Sequence, residues 1–393
     1  MALTFDEARA CVLREAGVSM GTEAVSLAEA AGRVLAEEIP ADRDYPPFPR
    51  SARDGFALRA SDLPGELRVI GEVRAGERFT GAVAAGEAVE IMTGAALPDG
   101  ADAVVMVEHV ERQGDRVSIQ RTIASGENFS PQGIEAHGGD PVLTAGVRIG
   151  HAEVAMLATV GHTCAMVYQR PRVAIVATGD EIVEFDQSPA PHQIRNSNAV
   201  SLAAQVARAG GVPEILGIAR DTYESTRTRI REGLEADLLL LSGGVSAGKY
   251  DLVEKVLAEF GAVFFFDRVK IQPGQPLVFG KAQGKIFFGL PGNPGSTMIT
   301  FETIARAALE KAQGLREPAL PLLRARLTSQ VRQKTGLTRF LPALLSPDGA
   351  TIAPMMAHGS GDVAALARCN AFLVTDPDRE EWKVDEDIRV LVK

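Results

Sequence analysis

The sequence predicts a multidomain α/β and β protein. N-terminal helices come first, then an inserted β domain, an α/β domain on a mainly parallel sheet, and a C-terminal β domain. Three observations carry this. Between residues 171 and 314, apolar runs of strand length alternate with helix-periodic segments, the pattern of a largely parallel sheet covered on both faces. Residues 46–140 instead read as short strands separated by Gly, Pro and Asp. At 393 residues the chain has room for roughly two to four domains, each burying its own core.

The elements follow in order. Thr4 and Glu7 form a capping box ahead of Ala8, Val12 and Leu13, which predicts a first helix. Ser26 and Glu29 form another, for a second helix ending before Pro40. Strands are expected at 67–73, 88–92, 103–107 and 116–119. Helical spacing returns at Val154, Leu157 and Ala158. That segment is expected to pack back on the N-terminal helices, so that 1–45 plus 141–170 form one unit and 46–140 an insertion. In the α/β domain, 171–316, strands are expected at 173–177, 214–218, 238–241, 264–266 and 286–290. Its helices are expected at 199–208, 223–234, 252–260 and 296–312. The C-terminal domain, 317–393, should hold strands at 324–327, 371–374 and 388–392.

Composition narrows the function. Lys plus Arg is 41 against 51 Asp plus Glu, a net charge of −10 with no basic block, which argues against nucleic-acid binding. Cys11, Cys164 and Cys369 lie far apart without a CxxC, and the six histidines show no HxxH, so a zinc site or thiol pair is not expected. Charges within the first twenty residues exclude a signal peptide, and no apolar stretch reaches the roughly 20 residues of a membrane helix. A cytoplasmic protein that touches no membrane is expected.

In an open parallel sheet, ligands bind outside the carboxyl ends of the strands. Three loops emerge from such ends: Thr178-Gly179-Asp180-Glu181, the stretch from Ser242 to Gly248, and 289–295 with Pro291, Gly292, Asn293 and Pro294. In the second, Gly243, Gly244 and Gly248 let the backbone turn its N–H groups toward an anion. Ser242 and Ser246 add hydroxyls, Lys249 a charge, and Asp251 a carboxylate able to hold a divalent cation against phosphate. Each loop also has a plain reading: an ordinary glycine-rich turn, a cap made by Asp180, prolines that stiffen a bend. The segments Ser51-Ala52-Arg53-Asp54-Gly55-Phe56-Ala57 and Met92-Thr93-Gly94-Ala95 say little alone.

Taken in order with Gly-Leu-Pro-Gly-Asn-Pro at 289–294 and Gly-Ser-Gly at 359–361, these motifs resemble the molybdopterin molybdenumtransferase family, which includes the C-terminal domain of gephyrin. The resemblance spans nearly the whole chain. It implies four domains, with an α/β domain of molybdopterin-binding type, and an elongated homodimer. It implies insertion of molybdate into the dithiolene of adenylylated molybdopterin, with release of AMP and a divalent cation, usually magnesium. The cleft is expected between the α/β domain of one subunit and the β domain of the other.

By resemblance, Asp54, Thr93, Asp140, Glu181, Asp221 and Asp251 occupy functional positions, with Glu181 and Asp251 as metal ligands. Ser242, Gly243, Gly244, Ser246 and Gly248 are expected to cradle phosphate and Pro291 and Pro294 to shape the wall, with Thr178, Gly179, Gly292 and Asn293 as further binding positions. Partners implied are a second copy, a molybdopterin adenylyltransferase and enzymes that accept the cofactor. One departure stands out. The family's Lys-Pro-Gly-Lys-Pro stretch reads Gln272-Pro273-Gly274-Gln275-Pro276 here, leaving Lys270 and Arg268 as the charges at hand. Two rival readings remain: an ATP-dependent molybdopterin adenylyltransferase, which needs only the α/β domain, and a non-catalytic gephyrin-like scaffold.

Overall fold

The computed structural model describes residues 2–18, 20–244 and 250–393. The N-terminal helix, Phe5–Glu15, carries the expected capping box: the Glu7 amide donates to Thr4 Oγ1 at 3.3 Å, and the Thr4 amide to Glu7 Oε2 at 2.8 Å. Its apolar face does not join residues 141–170. Phe5, Ala8, Cys11 and Val12 are buried in one cluster with Val173, Phe266, Ile304 and Phe340, so this helix packs on the α/β domain.

The second helix is a single turn, Leu27–Ala30. The Ser26–Glu29 box starts it, with the Ser26 hydroxyl donating to Glu29 at 2.6 Å. Gly32, at φ +81, then turns the chain into a left-handed conformation that no helix continues. Beyond it, Leu35 bridges to Val167 and Ile39–Pro40 pairs with Pro141–Leu143. Thr22–Ser26 pairs antiparallel with Cys164–Tyr168. Leu35, Ile39, Leu157 of the helix His151–Thr159, Ala165 and Val167 share one apolar cluster.

Between these two segments lies a six-stranded sheet in the order Ala103–Met106, Gly55–Leu58, Glu87–Ile91, Gly65–Val73, Arg116–Ile119, Glu111–Gln113. Gly55–Leu58 is wholly buried. Phe56 and Leu58 enter one core and Ala57 the other. Gly55 is required there, because a Cβ would lie 1.9 Å from the Val105 carbonyl oxygen.

The α/β domain runs β1 (Arg172–Thr178), α1 (Ser197–Arg208), β2 (Val212–Ala219), α2 (Tyr223–Gly233), β3 (Leu238–Ser242), α3 (Tyr250–Glu259), β4 (Val263–Arg268), β5 (Pro276–Ala282), β6 (Lys285–Leu290) and α4 (Pro294–Thr300). The sheet order is β2-β1-β3-β6-β5-β4, parallel through β6 and antiparallel beyond it. Leu238 and Leu240 bury on one face, Leu239 and Leu241 on the other, as a doubly covered strand demands. α4 continues through a π-type turn, Phe301–Ala305, into Arg306–Ala312.

The C-terminal sheet comprises Thr338–Leu345, Thr351–Pro354, Leu322–Leu327, Asp387–Val392 and Ala371–Thr375. A two-residue strand from the α/β domain, Ile271–Gln272, adds to it in parallel, with Gln272 opposite Arg339. Among the described residues no helix is long and apolar enough to cross a membrane.

Candidate active site

The carboxyl ends of three parallel strands come level, because Ala177 of β1 and Leu290 of β6 both pair with Ser242 of β3. Thr178, Ser242 and Pro291 are buried at this edge. Gly179, Gly243 and Gly244 have φ of +142, +93 and +70. A Cβ on Gly243 would lie 2.7 Å from the Thr178 carbonyl oxygen, and one on Gly244 2.6 Å from Thr178 Oγ1. A side chain on either would therefore force the two loops apart. The Gly292 position of the third loop would place a Cβ 3.6 Å from Gly243 Cα, so all three loops are in contact.

The acids at this edge differ in their bonding. Asp180 does not cap the next segment; its Oδ1 accepts the Asp221 amide at 3.1 Å, joining the ends of β1 and β2. Arg220 reaches back over the same loop, donating to the Ile182 carbonyl at 3.0 Å and the Asp180 carbonyl at 3.3 Å. The exposed Glu181 carboxylate has no hydrogen bond or ion pair with any described residue, although Gly179 packs against it. A carboxylate so placed at this edge suits a hard cation, which needs one or two protein carboxylates plus phosphate oxygens. Ser246 and Gly248 lie outside the described residues, as does the side chain of Asp251.

The loop 289–295 turns this edge toward the C-terminal domain. Thr297 Oγ1 donates to the Pro291 carbonyl at 2.5 Å, and Pro294 opens α4. The Gly295 amide donates to the Ser360 carbonyl at 2.8 Å, seating the Gly-Ser-Gly segment on the helix start. Beside this contact is a cavity of about 670 Å³, lined by Gln272, Gln275, Asn293, Ser360, Asp362 and Arg339 among others. Asn293 belongs to both places and links them.

Lys270 does not line this cavity, and neither does Arg268. Arg339 brings the cation instead. It is 7% exposed, and its Nη1 donates to the carbonyls of Lys334 at 2.6 Å and Leu337 at 3.4 Å. Burial lowers its pKa from the ordinary arginine value, but the group keeps its charge at neutral pH. Sequence reading missed Arg339. The signal lay in an apolar strand interrupted by one arginine, Thr338-Arg339-Phe340-Leu341.

The remaining sites lie elsewhere. Asp54 Oδ1 accepts both the Thr93 amide at 2.6 Å and the Thr93 hydroxyl at 2.8 Å. These bonds, the amide first, lower the Asp54 pKa below its usual value. Asp140 Oδ2 accepts the His137 amide at 2.8 Å in an exposed turn. No hydrogen bond or ion pair joins Asp54, Thr93 or Asp140 to the sheet-edge loops among the described residues.

Fold and site together define a multidomain α/β ligand-binding protein whose cleft is walled by a further β domain. Comparison with known proteins names the family. Residues 3–161 match the MoeA N-terminal region (domain I and II), 174–311 a probable molybdopterin binding domain, and 324–393 the MoeA C-terminal region (domain IV). The molybdopterin molybdenumtransferase of Bacillus subtilis (strain 168) is 34% identical over 403 residues, covering 98% of this chain and 93% of that protein. That of Staphylococcus epidermidis is 33% identical over 378 residues, covering 94% and 90%. The crystal structure of the molybdopterin biosynthesis moeA protein from Pyrococcus horikoshii OT3 superposes with a TM-score of 0.82 at 29% identity, covering all of both chains. The chain belongs to the molybdopterin molybdenumtransferase family.

Proposed function

We infer that this chain is the enzyme that inserts molybdate into adenylylated molybdopterin, releasing AMP, in molybdenum cofactor biosynthesis. The observation that carries the reading is the junction at Asn293. On one side three level strand ends bring the glycine turns and Ser242 together at one edge, suited to the adenylate's phosphates. On the other, a cavity of about 670 Å³ with Arg339 and two glutamines suits a small oxyanion. A reaction that brings an oxyanion to a phosphate-linked substrate needs these two subsites side by side. Magnesium would be held by Glu181, with Asp251 as a second ligand, and would neutralise phosphate charge.

The similarity over nearly the full length of the relatives supports this reading over an adenylyltransferase, which would need the α/β domain alone. The acids at 54 and 181 support it over a scaffold without catalysis. Protein incubated with adenylyl-molybdopterin and magnesium should release AMP when molybdate is added. Release that requires ATP, or none at all, would reject it.

A homodimer with composite clefts accounts for Asp54 and Thr93, which sit together on the inserted sheet away from the sheet-edge loops. A two-fold partner is the simplest means of bringing them to the site. Mixing Asp54→Ala and Glu181→Gln subunits should restore part of the activity, because one of the two clefts in each heterodimer is intact. No restoration would place each cleft within one chain. The enzyme would act in the cytoplasm, passing its product to enzymes that accept the cofactor.

A further inference from the structure

One buried amide at the sheet edge is unexplained by this reading. Asn198 lies in the first turn of α1 and is 9% exposed. Its Nδ2 donates to Ser242 Oγ at 2.9 Å and to the Gly292 carbonyl at 2.7 Å. A carbonyl oxygen can only accept, so the atom facing Gly292 must be the amide nitrogen, and this settles the orientation of the side chain. The same nitrogen then faces Ser242, whose oxygen accepts. The Ser242 hydroxyl proton is used by no described residue.

The consequence is one of polarity. A serine that faced a carboxylate or a carbonyl would commit its proton there and turn lone pairs to the cleft. Ser242, accepting from Asn198, keeps its proton for a ligand. The Gly292 carbonyl, which would otherwise set a bare partial negative charge beside a bound anion, is occupied by the same amide. Thr178 Oγ1 and Asn198 Oδ1 are also buried here without a hydrogen-bond partner among the described residues, so this corner has polar capacity beyond what those residues use.

We propose that Asn198 is a positioning residue that sets the hydrogen-bond polarity of the phosphate side of the cleft. It makes Ser242 a donor to the substrate's phosphate and masks the Gly292 carbonyl. This rests on the function proposed above, in which that phosphate belongs to an adenylate.

The test is Asn198→Asp, which keeps the shape but replaces the donor by a carboxylate. Ser242 must then donate to position 198, and its proton is lost to the ligand. AMP is the probe, and calorimetry is run on the full chain with magnesium. A hydrogen bond to a charged group is worth about 1.5–3 kcal/mol, so AMP should bind roughly 10- to 100-fold more weakly. In a Ser242→Ala background the same substitution should cost at least about threefold less than in the wild type, because the route through Ser242 is gone while the unmasked Gly292 carbonyl and the new carboxylate still weaken binding. A merely structural asparagine would cost the same in both backgrounds.

An Asn198→Asp affinity within twofold of wild type overturns the proposal, and so does an equal loss in both backgrounds. Failure of the wild type itself to bind AMP overturns the adenylate reading, and this one with it. Should Asn198→Asp not fold, Asn198→Ala in the two backgrounds is read by the same criteria.

Discussion

Arg339 and Arg306 both wall a cavity, yet they stand in opposite electrostatic settings. The cavity at Arg306 measures about 310 Å³ and is also lined by Gly32, Arg148, Arg170, Arg208 and Glu310 among others. There Arg306 lies 3.3 Å from Glu302 and 3.8 Å from Glu310, Arg148 lies 3.6 Å from Glu310, and Arg208 2.7 Å from Glu302. Arg306, Arg148 and Arg208 are each answered by a carboxylate. At the other cavity, the Arg339 guanidinium donates among the described residues to the neutral carbonyls of Lys334 and Leu337. A buried cation answered by carboxylates is spent on holding elements together. One that is oriented by carbonyls keeps its charge for a ligand. The first cavity joins the Gly32 and Arg148 turns to the α/β helices, and the second lies beside the glycine loops.

The largest effect expected from this contrast is at Arg339. Removing one partner of a buried, hydrogen-bonded charge pair costs about 2–5 kcal/mol, so Arg339→Gln should raise the half-saturating molybdate concentration by roughly 30-fold or more. Steady-state AMP release against molybdate concentration measures it. An equal loss in Arg148→Gln would break the contrast.

Next comes Glu310→Ala, which leaves Arg148 and Arg306 without that carboxylate. Arg306 keeps Glu302 but Arg148 loses its carboxylate and a buried side chain is deleted, so the Tm should fall while the molybdate response stays as in wild type. The Glu310 carboxyl also has a sign of its own. Burial raises its pKa from 4.5, outweighing Arg306, Arg148 and Arg9. Its contribution to stability is therefore complete below 4.5 and lost as pH rises through the folded value. Glu310→Gln cannot ionise, so its Tm should lack that decline.

Smaller still is the double change Gln272→Lys with Gln275→Lys. Two unit charges 4 Å apart interact by about 4 kcal/mol at an effective dielectric of 20. Solvent and the Asp362 carboxylate in the same cavity offset much of this, leaving a gain of about tenfold in molybdate affinity, or about 1.4 kcal/mol. If Arg339 already supplies all the charge the oxyanion needs, titration will show no gain, and the contrast is sharpened.

The smallest effect is at Asp54. Thr93→Val removes the hydroxyl bond and keeps the amide bond, so the Asp54 pKa should rise toward 3.8 without reaching it. The stabilisation from this carboxylate is present above 3.8 and lost as pH falls through the lowered value. A carboxyl NMR titration of the two proteins compares the midpoints.

The sequence alone determined whatever depends on local pattern. The Leu238–Leu241 run reads as a buried strand, and the alternation of strands and helices around it pointed to the α/β domain. Motif order was enough for the family, and the Thr4–Glu7 and Ser26–Glu29 boxes marked two true helix starts. Where a helix stopped was less legible. Gly32 ended the second after one turn, because its conformation answers to contacts with residues more than a hundred positions away.

Tertiary structure decided the rest, and for one physical reason: the deciding contacts join residues distant in sequence. The segment at 51–57 said little by itself, yet Gly55–Leu58 is an interior strand because two apolar layers close over it. The N-terminal helix packs on the α/β core because Phe5 and Val12 join the cluster of Val173, Phe266 and Ile304, with Phe340 of the C-terminal sheet against Phe5. Arg339 entered the cavity because Ile271–Gln272 pairs with its strand across 67 positions of chain, from 272 to 339. Asn198 gained its role only when Ser242 and Gly292 met on either side of it. Periodicity and motifs report what a segment prefers by itself; which charge faces a ligand is set by burial and pairing, and these exist only once the chain has folded.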